Sequence, residues 1–270
     1  MAQTLQNLLI IGCGNMGGAM LAGWLAAGVD PARISVLDPA LPQAPAGVTL
    51  YRSADAAAEA GHDAVLLGFK PQQLGALGPG LQGLTGSGVS VFSLLAGITL
   101  DQLAAAFPQA RAHVRVMPNL AAAIRKSPVI LAERGLGGEA ERAGVFALFD
   151  QLGSAVWLED EAQFDLVTAL AGSGPGFVYR FIDALAGAAT DLGLDAATAA
   201  RLALATVEGA AALAAAADVG PATLADRVAS PGGMTREGLN VLDNGDALRA
   251  LLTATLRATR DKGAALSKGA

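Results

Sequence analysis

Two glycine-rich stretches have the composition and spacing of anion-binding sites. In the first, Gly12, Gly14 and Gly17 follow the apolar run LLII at G-x-G-x-x-G spacing and precede a helix-compatible run. In a strand–turn–helix unit these glycines serve the turn, the close approach of a pyrophosphate, and the packing of helix on strand. The amides around Asn15 and Met16 then face the pyrophosphate at the positive end of the helix dipole. A purely structural turn is the alternative in a chain with 34 glycines.

The second stretch is SPGGMT, near the C-terminal end of the chain. Ser230 is expected to cap a helix, with Pro231 at its first position. Gly232 and Gly233 leave backbone N–H groups unshielded, which makes a small anion cradle suited to a carboxylate. Thr235 lies one turn further and directs a hydroxyl at the same place. The alternative is an ordinary capped helix start with a flexible turn.

Apolar β-rich runs and helix-compatible runs alternate through the first 160 residues. This alternation is typical of a doubly wound, mostly parallel sheet, the Rossmann-type α/β fold. Ser53 is expected to cap a helix that ends at Ala60, with Asp55 in its first turn. Another helix is expected near residues 139–152. The predicted strands cover residues 8–11, 33–37, 48–51, 64–69, 89–95, 113–117, 128–132 and 155–158.

Three of these strands end in residues that suit a dinucleotide. Asp38 closes the second strand, where an acid accepts the adenosine ribose hydroxyls and repels a 2′-phosphate. Lys70 follows the strand at 64–69 and either neutralises phosphate or orders a loop. Ala96 and Gly97 are small enough for a nicotinamide to lie flat against the backbone. The alternatives are a loop aspartate before a proline and a solvated loop lysine.

From residue 161 onward only helix-compatible stretches follow, so a domain boundary is expected near residue 160. The two domains predicted are 1–160, which binds the dinucleotide, and 161–270, an all-α domain for dimerisation and substrate binding. Ser173 or Gly174 is expected to cap a helix that is apolar nearly all round. The next helix, at 196–217, carries only two charged side chains, so both are placed in a dimer interface. The last helix is expected over residues 246–268.

Composition limits the classes of function. Charged residues are 16% and mean hydropathy is +0.45, which favours a sizeable subunit interface. A net charge of −6 without a Lys/Arg run argues against nucleic-acid and anionic-membrane partners. Cys13 is the one cysteine, which fits a reducing cytoplasm. His62 and His113 are far apart, so no metal site is expected. No charge precedes Asp30, but interrupting glycines and the lack of a basic start exclude a signal peptide or membrane span.

Six motifs in this order resemble the pyrroline-5-carboxylate reductase family, which catalyses the last step of proline biosynthesis. The resemblance runs nearly end to end. It implies an N-terminal dinucleotide-binding domain and a helical C-terminal domain that forms an intertwined dimer, with dimers often assembled into a decamer. The motifs are GCGNMG at 12–17, FKPQ at 69–72, SLLAGIT at 93–99, RVMPN at 115–119, GSGPGF at 172–177 and SPGGMT at 230–235.

The resemblance implies hydride transfer from a reduced nicotinamide to the C=N carbon of 1-pyrroline-5-carboxylate, giving L-proline. It places Thr235 near the ring nitrogen, where it is the candidate catalytic residue. The chain offers no convincing His or Glu general acid, and an imine that binds protonated needs little more than positioning. The residues implied for the substrate are Ser230, Gly232, Gly233, Thr235, Ser173 and Gly174. Those implied for the cofactor are Gly12, Cys13, Gly14, Asn15, Met16, Gly17, Asp38, Asp55, Phe69, Lys70, Pro71, Leu95, Ala96, Gly97 and Asn119.

The sequence departs from the family pattern at several positions around the substrate pocket. Leu120 replaces a small polar residue, Ala171 replaces a serine, Gly176 replaces an alanine, and Met234 replaces a threonine or alanine. These departures bear on the shape of the pocket and leave the reaction class unchanged. The segment at 121–127 is also more basic than the family pattern.

The cofactor is NADPH or NADH. Many members favour NADPH, whereas Asp38 favours NADH, and Arg52 leaves a route to a 2′-phosphate open. The sequence leaves two alternative functions. A related imine or β-hydroxyacid reductase shares the two-domain plan, but residues 161–260 contain no lysine for hydroxyacid chemistry. A non-catalytic nicotinamide-binding protein would not need the SPGGMT cradle.

Overall fold

The computed structural model describes residues 7–267, and the chain divides into two compact units. The first unit runs to Gly172 and takes in the C-terminal residues from Thr259. The second unit is Ser173–Ala258. The structural division therefore lies later than residue 160, the boundary expected from the loss of β-rich runs.

The first unit is built on one eight-stranded sheet of order β3-β2-β1-β4-β5-β6-β7-β8. Every neighbouring pair is parallel except β6 and β7, which are antiparallel. The order beginning 3-2-1-4-5-6 is that of the doubly wound dinucleotide-binding fold, which confirms the predicted class. The strands are β1 Leu8–Ile11, β2 Ile34–Leu37, β3 Thr49–Tyr51, β4 Ala64–Leu67, β5 Ser90–Ser93, β6 Ala112–Met117, β7 Ser127–Arg134 and β8 Gly153–Trp157.

The helices between the strands cover both faces of this sheet. They are α1 Asn15–Ala26, α2 Ala54–Ala58, α3 Leu74–Leu77, α4 Leu100–Ala106 and α5 Glu139–Asp150, with 3₁₀ turns at Pro31–Arg33, Pro71–Gln73, Gly78–Leu84 and Leu120–Ile124. Side chains alternate between two separate cores: Leu8 and Ile10 point to one, Leu9 and Ile11 to the other. A strand buried on both faces reads as an uninterrupted apolar run, which is why β1 could be found from LLII.

Helix α1 packs closely on the 3₁₀ turn that follows β6. A Cβ atom at Gly23 would lie 2.2 Å from the Ala122 carbonyl oxygen, so only glycine fits at this crossing. Next to it, buried Trp24 donates from Nε1 to the Leu148 carbonyl oxygen of α5 at 2.8 Å and packs at a tilt against the Phe149 ring. The close approach of Gly23 to Ala122 thus holds the 3₁₀ turn after β6 against α1.

The segment after residue 160 is anchored to the sheet by a buried ion pair. Arg115 on β6 donates to Glu161 Oε1 at 2.8 Å, and its guanidinium lies 3.8 Å from the centre of the Phe164 ring. Glu161 Oε1 also accepts from the Leu100 N–H, at the first turn of α4. Burial lowers the pKa of Arg115, while the hydrogen bond and charge of Glu161 act in the opposite direction. Because of these contacts, α6 (Phe164–Val167) belongs to the first unit.

The second unit consists of helices. They are α7 Gly174–Asp191, α8 Ala196–Ala216, α9 Pro221–Arg227, α10 Met234–Asp243 and α11 Ala247–Ser267, of which the last continues into the first unit. The last helix begins at Ala247, one residue later than expected, and Lys268, its expected end, lies outside the described residues. Helices α7 and α8 pack on each other and leave large apolar side chains exposed, among them Val178, Phe181, Leu202, Leu204 and Leu213.

Candidate active site

The three glycines after β1 have three different surroundings. Gly12 has a φ of +87°, and a Cβ there would lie 2.9 Å from the Phe69 nitrogen. A Cβ on Gly17 would lie 2.7 Å from the Gly12 carbonyl oxygen. Around Gly14 nothing lies within 4 Å. The first therefore serves the turn, the third serves close helix packing, and the middle one leaves the backbone open to a ligand, as a pyrophosphate requires.

The start of α1 is free to bind an anion. Its N-cap, Gly14, offers no side chain to cap the helix. Gly14 and Asn15 are exposed, whereas Cys13 is buried and Met16 is half-buried. Burial raises the pKa of the Cys13 thiol, and the charge of Asp38 adds to this effect. The uncapped N–H groups and the helix dipole thus converge on the open face at Gly14.

The end of β4 lies against the glycine loop. A Cβ at Gly68 would lie 2.4 Å from the Gly12 carbonyl oxygen, so glycine is required on both sides of this approach. Gly68 was not among the predicted site residues, although its place at a strand end beside FKPQ was a usable signal. After it, Phe69 is half-buried and Lys70 is exposed, and the Lys70 N–H donates to Gln73 Oε1 at 3.1 Å.

The loop after β5 presents one of its three predicted cofactor residues to solvent. The Ile98 N–H donates to the Leu95 carbonyl at 3.2 Å, and Gly97 has a φ of +79°. Ala96, at the tip, is exposed, whereas the Leu95 side chain belongs to a core. Ala96 and Pro71 also line a cavity of about 1080 Å³. The other walls of this cavity come from residues 72–82 and 98–106 and from Ala265, and the glycine loop does not line it.

Asp38 holds the end of β2 to the glycine loop. Its Oδ2 accepts from the Cys13 N–H at 2.8 Å, and its Oδ1 accepts from the Ala40 and Leu41 N–H groups at 2.8 and 3.1 Å. The carboxylate is half-buried at the position expected for a ribose contact. Asp55, further along, is exposed in the first turn of α2.

Asn119 has a structural environment that the sequence did not indicate. Its Nδ2 donates to the Ala171 carbonyl at 3.0 Å, and its Oδ1 accepts from the Ala121 N–H at 2.9 Å. Residues Thr168–Gly172 form a π-helical turn, whose looser bonding leaves carbonyls available. Asn119 thus ties the loop after β6 to this turn. Ser173 precedes α7 as expected, but its side chain does not cap the helix.

The SPGGMT stretch folds differently from the expected cap. The Gly233 N–H donates to the Ser230 carbonyl at 2.9 Å, and Gly232 has a φ of +68°. Proline followed by a glycine of positive φ is the composition of a type II turn. The turn delays the helix, which begins at Met234 with Gly233 as N-cap. The prediction of Ser230 as N-cap and Pro231 as first helical residue is therefore wrong.

This turn is open to solvent and anchored at its flanks. A Cβ on Gly233 would lie 2.5 Å from Ser230 Oγ, so the missing side chain makes room for that hydroxyl. Around Gly232 nothing lies within 4 Å. No side chain caps the start of α10, and Thr235 is exposed in its first turn. An Arg236–Asp226 ion pair of 2.7 Å joins α10 to α9 across the turn.

The residues between 7 and 267 hold no cluster of three or more His, Cys, Asp or Glu side chains that suits a metal. His62 bonds Ser35 Oγ at 2.9 Å, and His113 bonds the Phe107 carbonyl at 3.0 Å. Burial lowers the pKa of both rings. Both histidines thus form hydrogen bonds within the first unit, and both are far in sequence from the SPGGMT turn.

The doubly wound sheet, the open glycine loop and the acid after β2 define a dinucleotide-binding protein, the class to which nicotinamide-dependent oxidoreductases belong. The comparisons agree with this class. Residues 7–97 match the family model described as NADP oxidoreductase coenzyme F420-dependent, and residues 161–266 match that for pyrroline-5-carboxylate reductase dimerisation. The chain belongs to the pyrroline-5-carboxylate reductase family and is an NAD(P)H-dependent oxidoreductase that acts on a cyclic imine.

Individual relatives cover nearly the whole chain. It is 36% identical to the pyrroline-5-carboxylate reductase of Pseudomonas aeruginosa over 97% of either chain. The enzyme of that name from Escherichia coli is 33% identical over 96% of this chain and 97% of its own length. A solved pyrroline-5-carboxylate reductase from Coxiella burnetii superposes with a TM-score of 0.90 at 30% identity, covering 98% of this chain and 99% of that one.

The dimerisation match also explains the most apolar helix. Among the described residues, α8 alone has the length and composition to cross a membrane, and only 11% of its most apolar window is buried. The same helix lies inside the matched dimerisation region. The chain is therefore a homo-oligomer, and the exposed apolar faces of α7 and α8 lie in the part of the chain that forms it.

Proposed function

We propose that the chain reduces 1-pyrroline-5-carboxylate to L-proline with NAD(P)H, the last step of proline biosynthesis. The observation that carries this proposal is the SPGGMT turn. An open glycine, an uncapped helix start and the exposed Thr235 hydroxyl follow one another within six residues, 230–235. These are the groups that a small ring acid with an adjacent nitrogen needs.

The cofactor half of the reaction rests on the first unit. When bound, the reduced nicotinamide supplies the hydride. The N–H groups at Gly14 and Asn15 hold the pyrophosphate, because the helix start is uncapped and unobstructed. Phe69, Pro71 and Ala96 flank the nicotinamide end, because they follow the carboxyl ends of β4 and β5 and Phe69 lies against Gly12 of the glycine loop. Asn119 acts by holding the loop after β6 in place.

The substrate half rests on the second unit. Backbone N–H groups at the start of α10 receive the ring carboxylate, with Gly232 and Gly233 allowing its close approach. Ser230 contributes its hydroxyl beside Gly233, and Ser173 and Gly174 supply a second helix start. The Thr235 hydroxyl is placed at the ring nitrogen, where it orients the protonated C=N group. No side-chain general acid is needed, because the imine arrives already protonated and catalysis depends on orientation.

The proposed assembly is a dimer formed by the helical unit, with decamers built from such dimers, in the cytoplasm. The exposed apolar residues of α7 and α8 support the dimer. The single cysteine, Cys13, supports a reducing compartment. Light scattering on the purified protein distinguishes a mass of twice the 26.9 kDa chain from ten times that mass.

A substrate panel tests the function. The protein is assayed for oxidation of NADH and NADPH with pyrroline-5-carboxylate, pyrroline-2-carboxylate and a series of hydroxyacids. The proposal predicts that kcat/KM is highest for pyrroline-5-carboxylate. Turnover of a hydroxyacid at a higher kcat/KM would assign a related reductase instead, and tight cofactor binding without turnover of any compound would assign a non-catalytic role.

A further inference from the structure

We infer that the loop after β2 selects NADH over NADPH, and that Asp38 determines this choice. The inference rests on the proposed function, since it concerns the cofactor of the same reaction. It depends on three features of the first unit. Asp38 accepts hydrogen bonds from three backbone N–H groups, one acceptor site on its carboxylate stays free, and Arg52 donates to carbonyls of the same loop.

Asp38 is held as a rigid anion beside the glycine loop. Three N–H groups, from Cys13, Ala40 and Leu41, donate to its carboxylate at 2.8 to 3.1 Å. The Cys13 N–H belongs to the loop that receives the pyrophosphate, so the carboxylate sits next to the adenosine side of that loop. Hydrogen bonds from backbone N–H groups to a carboxylate fix its direction.

The distribution of these donors leaves one acceptor position. Each carboxylate oxygen offers about two lone-pair sites. Oδ1 uses both, for Ala40 and Leu41, whereas Oδ2 uses one, for Cys13. The remaining site on Oδ2 accepts a hydrogen from a ribose hydroxyl. A 2′-phosphate at that hydroxyl removes the hydrogen and adds negative charge beside a carboxylate that cannot turn away.

Arg52 is the cation at this loop, and its donors are committed to the loop itself. Nη1 donates to the carbonyls of Asp38, Pro39 and Leu41 at 3.0, 3.2 and 2.5 Å. Nη2 donates to the Pro42 carbonyl at 3.2 Å. The guanidinium thus closes residues 38–42 into one turn. To bind a 2′-phosphate, Arg52 would have to break its hydrogen bonds to four backbone carbonyls. Arg52 therefore positions the loop and does not neutralise the charge of Asp38.

The first test uses the unaltered protein. The predicted kcat/KM for NADH exceeds that for NADPH by at least about 30-fold at low salt, because like charges at short range repel strongly. Calorimetry with AMP and with adenosine 2′,5′-bisphosphate, which differ only in the 2′-phosphate, measures the same choice without turnover, and AMP is expected to bind more tightly. Equal or tighter binding of the bisphosphate would overturn the inference. Clear preference for AMP in a protein that reduces no imine would instead overturn the proposed function and leave this inference standing.

The second test uses variants of the loop. Asp38→Ser removes the charge and is expected to shift the NADPH/NADH ratio of kcat/KM at least about 30-fold toward NADPH. Glu59→Gln, which removes an exposed acid of the same unit, is expected to leave the ratio unchanged. An unchanged ratio in folded Asp38→Ser would contradict the inference. If that variant does not fold, the affinities of the unaltered protein for AMP and for adenosine 2′,5′-bisphosphate decide.

Arg52→Gln separates the two roles open to the arginine. If Arg52 only positions the loop, the variant loses affinity for NADH and NADPH by similar factors. A loss confined to NADPH and to adenosine 2′,5′-bisphosphate would show that the guanidinium binds the phosphate, and the inference would fail.

Discussion

The two compact units bury their apolar residues to very different extents. In the first, both faces of the sheet are covered, and Leu9, Ile10 and Trp24 are fully buried. In the second, α7 contains no buried residue, and α8 buries only Ala199 and Ala203. An apolar surface of this kind marks an interface, which agrees with the dimerisation match. The first unit thus completes its core within one chain, whereas the second depends on another copy.

The same contrast separates the two halves of the proposed site. In the first unit, contacts between the loops at the strand ends hold the glycine loop, Asp38 and Asn119 in place. In the second, Gly232 lies exposed in a short turn and Thr235 lies exposed in the first turn of α10. We expect a substitution in the first unit to change the site within a single chain. A substitution in the second unit is expected to change oligomer formation as well.

The largest effect is expected from a charge on the uncovered helices. Phe181→Asp or Leu204→Asp places a carboxylate on a face that must be desolvated in the oligomer, so we expect loss of the oligomer and of activity. Leu77→Asp, at an exposed apolar residue of the first unit, is the matched control and should leave the mass unchanged. Light scattering measures the mass. An intact oligomer in both helix variants would contradict the assignment of these faces.

A comparison of two glycines in the same loop should separate folding from binding. Gly17→Ala forces a Cβ against the Gly12 carbonyl, and we expect a loss of roughly 1–3 kcal/mol in the free energy of unfolding. Gly14→Ala meets no atom within 4 Å, so its Tm should hold while the Kd for the dinucleotide rises. Thermal melts and cofactor titration measure the two quantities. A Tm for Gly17→Ala equal to that of the unaltered protein would show that the helix can shift.

The ion pairs of the two units should also differ in strength. Arg115–Glu161 has side chains 5% and 30% exposed, whereas Arg180–Asp183 on α7 has 83% and 71%. Glu161→Ala should cost about 2–3 kcal/mol, because it leaves the buried guanidinium without its acceptor. Asp183→Ala should cost less than about 1 kcal/mol. Urea unfolding measures both, and equal costs would contradict the anchoring role of Glu161.

The smallest effect is expected from pH, and it should arise in the first unit, which holds both histidines. Burial lowers the pKa of His113 in the folded protein below its value of about 6.5 in the unfolded chain. Below that pH the unfolded chain takes up a proton that the folded protein does not, so stability falls as pH falls toward the folded pKa. His113→Asn should flatten this decline in urea unfolding between about pH 6.5 and 5. An unchanged slope would assign the decline to other groups.

Much of the first unit was predictable from the sequence, because uninterrupted apolar runs and glycine spacing are local signals. All eight strands of the sheet begin and end within two residues of their predicted ends. The Ser53 cap is also confirmed, since its Oγ accepts from the Ala56 N–H at 3.4 Å. The family and its reaction class followed from six motifs, and the comparisons confirm them.

The features that were missed depend on contacts between distant residues. The hydrogen bond from Asn119 to the Ala171 carbonyl requires a π-helical turn some fifty residues later in the chain. The Arg52 hydrogen bonds require the loop after β2 to fold back toward β3. The Ser230 cap failed because a proline and a glycine suit a turn as well as a helix start. The dimerisation match begins at residue 161, where the boundary was expected, whereas the compact first unit extends to Gly172 through the Arg115–Glu161 pair, which composition does not reveal. The roles of the site residues stay predictions.

Thr235 allows the most direct test of the claim that the second unit binds the substrate while the first binds the cofactor. For Thr235→Ala and Thr235→Ser, kcat/KM for pyrroline-5-carboxylate and the Kd for NADH are measured together. We predict a fall of about 10- to 100-fold in kcat/KM for alanine, the worth of one hydrogen bond to a charged group, with recovery in serine and an unchanged Kd. An unchanged kcat/KM in Thr235→Ala, or an equal loss of NADH affinity, would contradict the account.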